Sequence, residues 1–178
     1  GLGAMRLPQT EPGLGKPIDL PKAQALIDTC MAQCVNYYDT AYIITGEVGD
    51  GFGTGPFPLS AVELLIADKF NIQANPDYRF QFQDQLDRLQ IEYIDFYLLH
   101  GVTDLRAGNY ESCVCIPYFQ ERKKAGQIKY LGFSFHGTPE CLEMLLEKRP
   151  WDLVQIQLNY YDWYQEQPSV NKKFFISA

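Results

Sequence analysis

Ile94-Asp95-Phe96-Tyr97-Leu98-Leu99-His100 is a short apolar run that ends on an imidazole. Two earlier runs end in a comparable way: Val35-Asn36-Tyr37-Tyr38-Asp39 on a carboxylate, and Leu65-Ile66-Ala67-Asp68-Lys69 on an ammonium. Apolar runs of this length read as strands of a parallel sheet covered on both faces. A titratable residue at the C-terminal end of successive buried strands is how a (β/α)8 barrel builds an active site. An acid, an amine and an imidazole converging on one mouth form a proton-transfer constellation.

Outward from these runs, helical and extended patterns alternate. Gly1 to Leu7 reads as a first strand and Pro8 to Pro17 as a Pro/Gly loop. Pro21 to Gln33 reads as a helix with Pro21 in its first turn and Ala25, Leu26, Thr29 and Cys30 on one face. Asp77 to Leu89 has helical spacing, with Phe82, Leu86 and Leu89 on one side. Ile116 to Lys124 reads as a helix stopped by Gly126, and Ile128 to Phe135 as a strand. Pro139 to Glu147 reads as a helix with Leu142, Leu145 and Leu146 inward, and Leu153 to Leu158 as the last strand.

That gives six strand signals where a closed barrel needs eight. The chain has 178 residues, against about 250 for a typical barrel of this class. The expectation is an α/β fold, an incomplete (β/α)8 TIM barrel with about six of its eight strands, as one domain over residues 1–178. The chain opens on Gly1 without an initiator Met, so it reads as a piece of a longer protein.

A net charge of −7 argues against nucleic acid or an anionic membrane surface as partner. No signal peptide is visible, nor an apolar run long enough to cross a membrane. Cys30, Cys34, Cys113, Cys115 and Cys141 match no zinc or iron–sulfur spacing. An odd cysteine count without a framework points to reduced thiols and a cytoplasmic location. Cys113 and Cys115 read as loop thiols.

Several segments together resemble the aldo-keto reductases. They are Asn36-Tyr37-Tyr38-Asp39-Thr40-Ala41-Tyr42, Ala67-Asp68-Lys69-Phe70, Leu86-Asp87-Arg88-Leu89 with Tyr93 to His100, and Gly126-Gln127-Ile128-Lys129-Tyr130-Leu131-Gly132-Phe133-Ser134. Gly1 to Leu7 looks like that family's opening strand and Val154 to Asn159 like its sixth. The resemblance is closest to the bacterial branch whose members often carry a C-terminal iron–sulfur segment.

The resemblance implies NADP(H)-dependent reduction of a small-molecule aldehyde or ketone, without a metal. Hydride goes to the carbonyl carbon, and a proton to the developing alkoxide. Asp39 and Lys69 match the family's ion pair, and His100 matches the histidine that polarises the carbonyl oxygen. Ser134 and Gln155 match the side chains that hold the nicotinamide carboxamide, while Met5 and Asp39 would lie near the nicotinamide and its ribose.

The sequence departs from the pattern in three places. The family's proton-donor Tyr lies five residues after the Asp, where this chain has Ile44, and Ile cannot donate a proton. Tyr42 could substitute only with a rearranged loop. The amide residue that many members place after the Ser is Phe135 here, and the strands that supply the phosphate contacts are missing.

Ile43 to Leu64 does not fit either. It holds Gly46, Gly49, Gly51, Gly53 and Gly55, then Pro56 and Pro58, where the alternation calls for a helix. It reads as irregular loop, of the kind that two compensating frame shifts in the coding DNA would leave. The rival expectation is therefore a catalytically inactive barrel fragment, lacking the donor Tyr and the cofactor phosphate site. Its open barrel edges would favour self-association. His136 reads as a loop or packing residue, and Tyr160-Tyr161-Asp162-Trp163-Tyr164 as a rim or mouth cluster.

Overall fold

Six short strands carry the architecture, all parallel and in sequence order across one sheet, β1-β2-β3-β4-β5-β6. They are β1 (Leu2–Gly3), β2 (Tyr37–Asp39), β3 (Leu65–Phe70), β4 (Ile94–Val102), β5 (Ile128–Phe135) and β6 (Leu153–Ile156). The computed structural model describes residues 1–11, 17–42 and 64–156. The Gly/Pro-rich stretch, Ile44 and the Tyr160–Tyr164 cluster lie outside the described residues. The sheet is the curled half-barrel expected of an incomplete (β/α)8 barrel.

The helices are α1 (Leu20–Ala32), α2 (Tyr78–Leu89), α3 (Ala107–Ser112), α4 (Cys115–Lys124) and α5 (Pro139–Lys148). The starts of α1, α2 and α5 are capped by side chains from their own sequence. The Asp77 carboxylate accepts from Arg79 N at 3.1 Å and Phe80 N at 3.0 Å, satisfying two donors that the first turn leaves open. Thr138 accepts from Cys141 N ahead of Pro139, and Asp104 in turn accepts from the Thr138 hydroxyl at 2.5 Å and its N–H at 2.9 Å. Gly126, at φ 82°, follows α4, and its N–H closes on Lys123 O. None of the helices among the described residues is long and apolar enough to cross a membrane.

Period-two alternation sorts the strand residues onto two faces. Tyr97, Leu99, Phe133 and Phe135 face the helices in one large core with Phe82, Phe119 and Leu142. The Phe119 ring sits 4.9 Å from Tyr97 and 5.4 Å from Phe70, at steep tilts that suit aromatic edges against faces. On the concave face the rings of Tyr37 and Phe96 lie 5.4 Å apart, and Phe96 stacks on Tyr130 at 5.1 Å. This aromatic layer is the floor beneath the charged strand ends.

Two carboxylates, the buried Asp95 and the exposed Asp152, fix the strand register. Asp95 accepts from Ile66 N at 2.9 Å and from Lys129 Nζ at 2.7 Å, tying β3, β4 and β5 together near their start. Asp152 accepts from Leu131 N at 2.7 Å and pairs with Lys123, so β6 is anchored to both β5 and α4.

The structure corrects four expectations. Only Leu2–Gly3 is strand; Ala4–Arg6 turns into a 3₁₀ segment, with Leu7 N bonded back to Ala4 O. The buried stripe of α1 is Ala23 and Ile27, packed toward Ala4 and Leu7, while Leu26 is exposed. In α5, Cys141 takes an inward place and Leu146 points out. The short helix α3 was not expected, since Gly108 and Asn109 are poor helix formers. It forms because Tyr110 is buried and Thr103 O receives the Arg106 and Ala107 N–H groups.

Candidate active site

Asp39 is the last residue of β2, and its carboxylate faces Lys69 on β3, where Asp39 is in register with Ala67. Lys69 Nζ donates to the Asp39 carboxylate and, at 2.7 Å, to Thr40 O. The lysine is 7% exposed, so its charge has little water and leans on these two acceptors. The other Asp39 oxygen accepts from the Gln155 amide on β6. Tyr37, one layer below, has its phenol pushed up to about 12 by burial and by the neighbouring Asp39 charge.

His100 stands on β4, one residue past the position in register with Phe70. Burial, reinforced by the positive charge of Lys69, pushes its pKa down to about 4. The ring is therefore neutral at pH 7. Asn71 settles which nitrogen carries the proton. The Asn71 side-chain oxygen accepts from Gln73 N at 3.0 Å and Ala74 N at 3.3 Å, so its NH₂ is the end 3.4 Å from His100 Nδ1. With Nδ1 accepting, Nε2 bears the hydrogen and is the donor.

Gln81 holds Asn71 in place. It is fully buried; its oxygen accepts from Asn71 N at 3.0 Å, and its amide donates to Asn71 O at 2.7 Å and to Asn75 O. From the other side, the Tyr110 hydroxyl donates to His100 O at 2.6 Å. Sequence reasoning missed Asn71, Gln81 and Tyr110. Asn71 was within reach, because it lies just past a strand end, two residues after Lys69. Gln81 carried no signal, being one of several polar residues along a helix.

Ser134 and Gln155 are register partners on β5 and β6. The Ser134 hydroxyl accepts from Gly101 N at 2.7 Å and donates to Leu99 O at 3.4 Å, bridging the irregularity in β4. Met5 sits on the 3₁₀ segment after β1 and is 66% exposed. The structure thus brings Asp39, Lys69 and Gln155 into direct contact and places His100 within their field. Ser134 stands beside Gln155, and Met5 stays at the rim. Tyr42 lies with Arg88 of α2, 5.7 Å from its ring centre. His136 is exposed, and its N–H continues the pairing to Val102 O.

The arrangement supplies a held ammonium and a neutral imidazole N–H donor at adjacent strand ends. That combination can grip a carbonyl oxygen and stabilise charge as it develops there.

Comparison with known proteins gives the same direction. The model of the family described as "Aldo/keto reductase family" matches residues 1–174. L-galactose dehydrogenase of Arabidopsis thaliana is 24% identical over 157 residues, covering 81% of this chain and 47% of that protein. A holo-form aldo-keto reductase from Bacillus halodurans is 25% identical, with a TM-score of 0.64 over 89% of this chain and 52% of its own. An aldose reductase of Giardia lamblia shares the fold at 18% identity and a TM-score of 0.62, over 99% of this chain and 61% of its own. The chain spans about half the length of the curated relative it matches.

Proposed function

Since this chain belongs to the aldo/keto reductase family, we propose that it serves as an NADP(H)-dependent oxidoreductase that reduces an aldehyde or ketone to an alcohol. The single observation that carries the reading is the Asp39–Lys69 pair beside a neutral His100, all at strand ends of one barrel mouth. The sequence resemblance to the bacterial branch with C-terminal iron–sulfur segments belongs to the same proposal.

A nicotinamide cofactor, when bound, supplies the hydride. The residues present suit its carboxamide end: Gln155 offers an amide with both donor and acceptor, and the Ser134 hydroxyl is its register partner. His100 Nε2–H orients the substrate carbonyl and draws electron density toward its oxygen. Two of the three Lys69 N–H bonds go to Asp39 and Thr40 O, which leaves one for the oxygen of the substrate.

With Ile44 where relatives of this pattern have a phenol, Lys69 is the group that protonates the alkoxide. An ammonium is a far stronger acid than an alcohol, so the transfer is downhill. Asp39 keeps the lysine aimed.

Ile44 also favours a second reading, an inactive barrel fragment. Titration of the protein with NADPH, followed by nicotinamide fluorescence, tests the proposal together with a Gln155→Ala variant. Micromolar binding that weakens on loss of Gln155 supports the oxidoreductase. Absence of binding up to millimolar NADPH favours the inactive fragment.

A further inference from the structure

Cys113-Val114-Cys115 joins α3 to α4, with only Cys113 and Val114 between the two helices. Cys113 caps the C-terminal end of α3 with its N–H on Asn109 O, and Cys115 is the first residue of α4. Val114 between them is left-handed, at φ 58° and ψ 17°, and its side chain is 60% exposed. A β-branched residue is disfavoured in that region, so the packing on either side must impose it.

The consequence is that two thiols turn to one point. Cys113 Sγ and Cys115 Sγ each donate to Tyr110 O at 3.6 Å, so one carbonyl oxygen holds both sulfurs. Cys115 is fully buried and Cys113 is partly exposed. Burial and the neighbouring Cys113 raise the Cys115 thiol above its ordinary range. Cys113 is thus the accessible sulfur, and Cys115 the sheltered one behind it.

We propose that Cys113 and Cys115 form a dithiol that a peroxide closes into an intramolecular disulfide. The Cys113 thiolate attacks the peroxide O–O bond, an S–O bond forms, and hydroxide leaves. Cys115 Sγ then attacks the oxidised sulfur; the S–S bond forms, the S–O bond breaks, and the second oxygen departs as water with the Cys115 proton. Two thiols and one hydrogen peroxide give one disulfide and two waters. A disulfide needs Cα atoms about 4.4–6.8 Å apart, and residues two apart in sequence lie no more than about 7 Å from each other even in extended chain.

Closure removes both S–H donors from Tyr110 O. The Tyr110 hydroxyl is bonded to the carbonyl of His100, so the change is felt at the candidate site. The disulfide itself does not depend on the oxidoreductase reading.

The test is hydrogen peroxide treatment of the full chain carrying Cys34→Ser, because Cys34 is the exposed thiol among the five cysteines. The expected product is a monomer lighter by two hydrogens, with Cys113 and Cys115 protected from alkylation and both regained with dithiothreitol. In a Cys115→Ser variant the reaction stops at a dimedone-trappable sulfenic acid on Cys113. Amide exchange over Ala107–Ser112 is expected to quicken on oxidation. Oxidation elsewhere with Cys113 and Cys115 both still alkylatable overturns the disulfide. Unchanged exchange in the closed form overturns the link to Tyr110.

Discussion

Gln155 donates its side-chain amide to Asp39, joining the last described strand of the sheet to its second across 116 residues of sequence. In a flat sheet four strand spacings would hold these residues about 19 Å apart. Their contact therefore measures the curl of the half-barrel, and it makes the Asp39 carboxylate the meeting point of β2, β3 and β6. Loss of that shared anion is expected to affect stability and site chemistry together.

Asp39→Asn leaves the Lys69 ammonium buried without its counter-charge. Breaking such a pair costs about 3 kcal/mol or more, because one charge stays desolvated. Urea unfolding is expected to show a lower midpoint with little change in slope. The double variant Asp39→Asn with Lys69→Met is expected to recover much of the loss.

His100 ties stability to pH. Its folded pKa, about 4, lies below the ordinary value of 6.5, so the unfolded chain binds the extra proton first as pH falls. The contribution is full above about pH 6.5 and is lost as pH drops through the folded value. Carboxylates titrate in the same range, so the comparison is wild type against His100→Asn. The difference in stability is expected to shrink by about 2–3 kcal/mol between pH 7 and pH 4.

Asn71 sets the His100 tautomer. Asn71→Ala removes the donor facing Nδ1, and nitrogen chemical shifts of the ring are expected to move from one tautomer to a mixture. A ring that remains protonated on Nε2 alone would assign the tautomer to another group.

Phe119 is the centre of the aromatic core, with no solvent exposure and rings on several sides. Phe119→Ala is expected to cost about 3–5 kcal/mol through lost transfer energy and the cavity left behind. Thermal unfolding measures it.

Among the described strands, β1 and β6 are each paired on one side only. Open edges template further pairing, and we propose that copies of this chain associate through them. Sedimentation is expected to show mass rising with concentration. A monomer at every concentration contradicts this.

Much of the fold was legible because strands apolar on both faces alternate with capped helices. Ile128–Phe135 is a strand to the residue, and Asp77 caps its helix where the pattern placed the start. What failed was local. Leu146 looked inward by periodicity and Leu26 shared a face with Ala25, Thr29 and Cys30, yet tertiary packing selected Cys141 in one helix and Ala23 with Ile27 in the other. Helix α3 was hidden because its stability comes from burying Tyr110 rather than from propensity.

The candidate site was legible as three strand-end residues, since position along the strands alone places them at the mouth. Its supporting shell was not. Gln81 and Tyr110 act through contacts across 10 residues of sequence each, and no spacing rule announces a buried amide that grips a backbone. Cys113 and Cys115 read as loop thiols because nothing in the sequence foretold a left-handed Val114 between two helices.

The most direct measurement is NADPH oxidation by the purified chain with a reactive aldehyde, wild type against Lys69→Met and His100→Ala. The oxidoreductase account predicts turnover in the wild type, reduced by roughly 10²–10⁴-fold in Lys69→Met, the scale of a lost general acid, and impaired in His100→Ala. No consumption of NADPH by the wild type, or turnover that survives Lys69→Met unchanged, would contradict it.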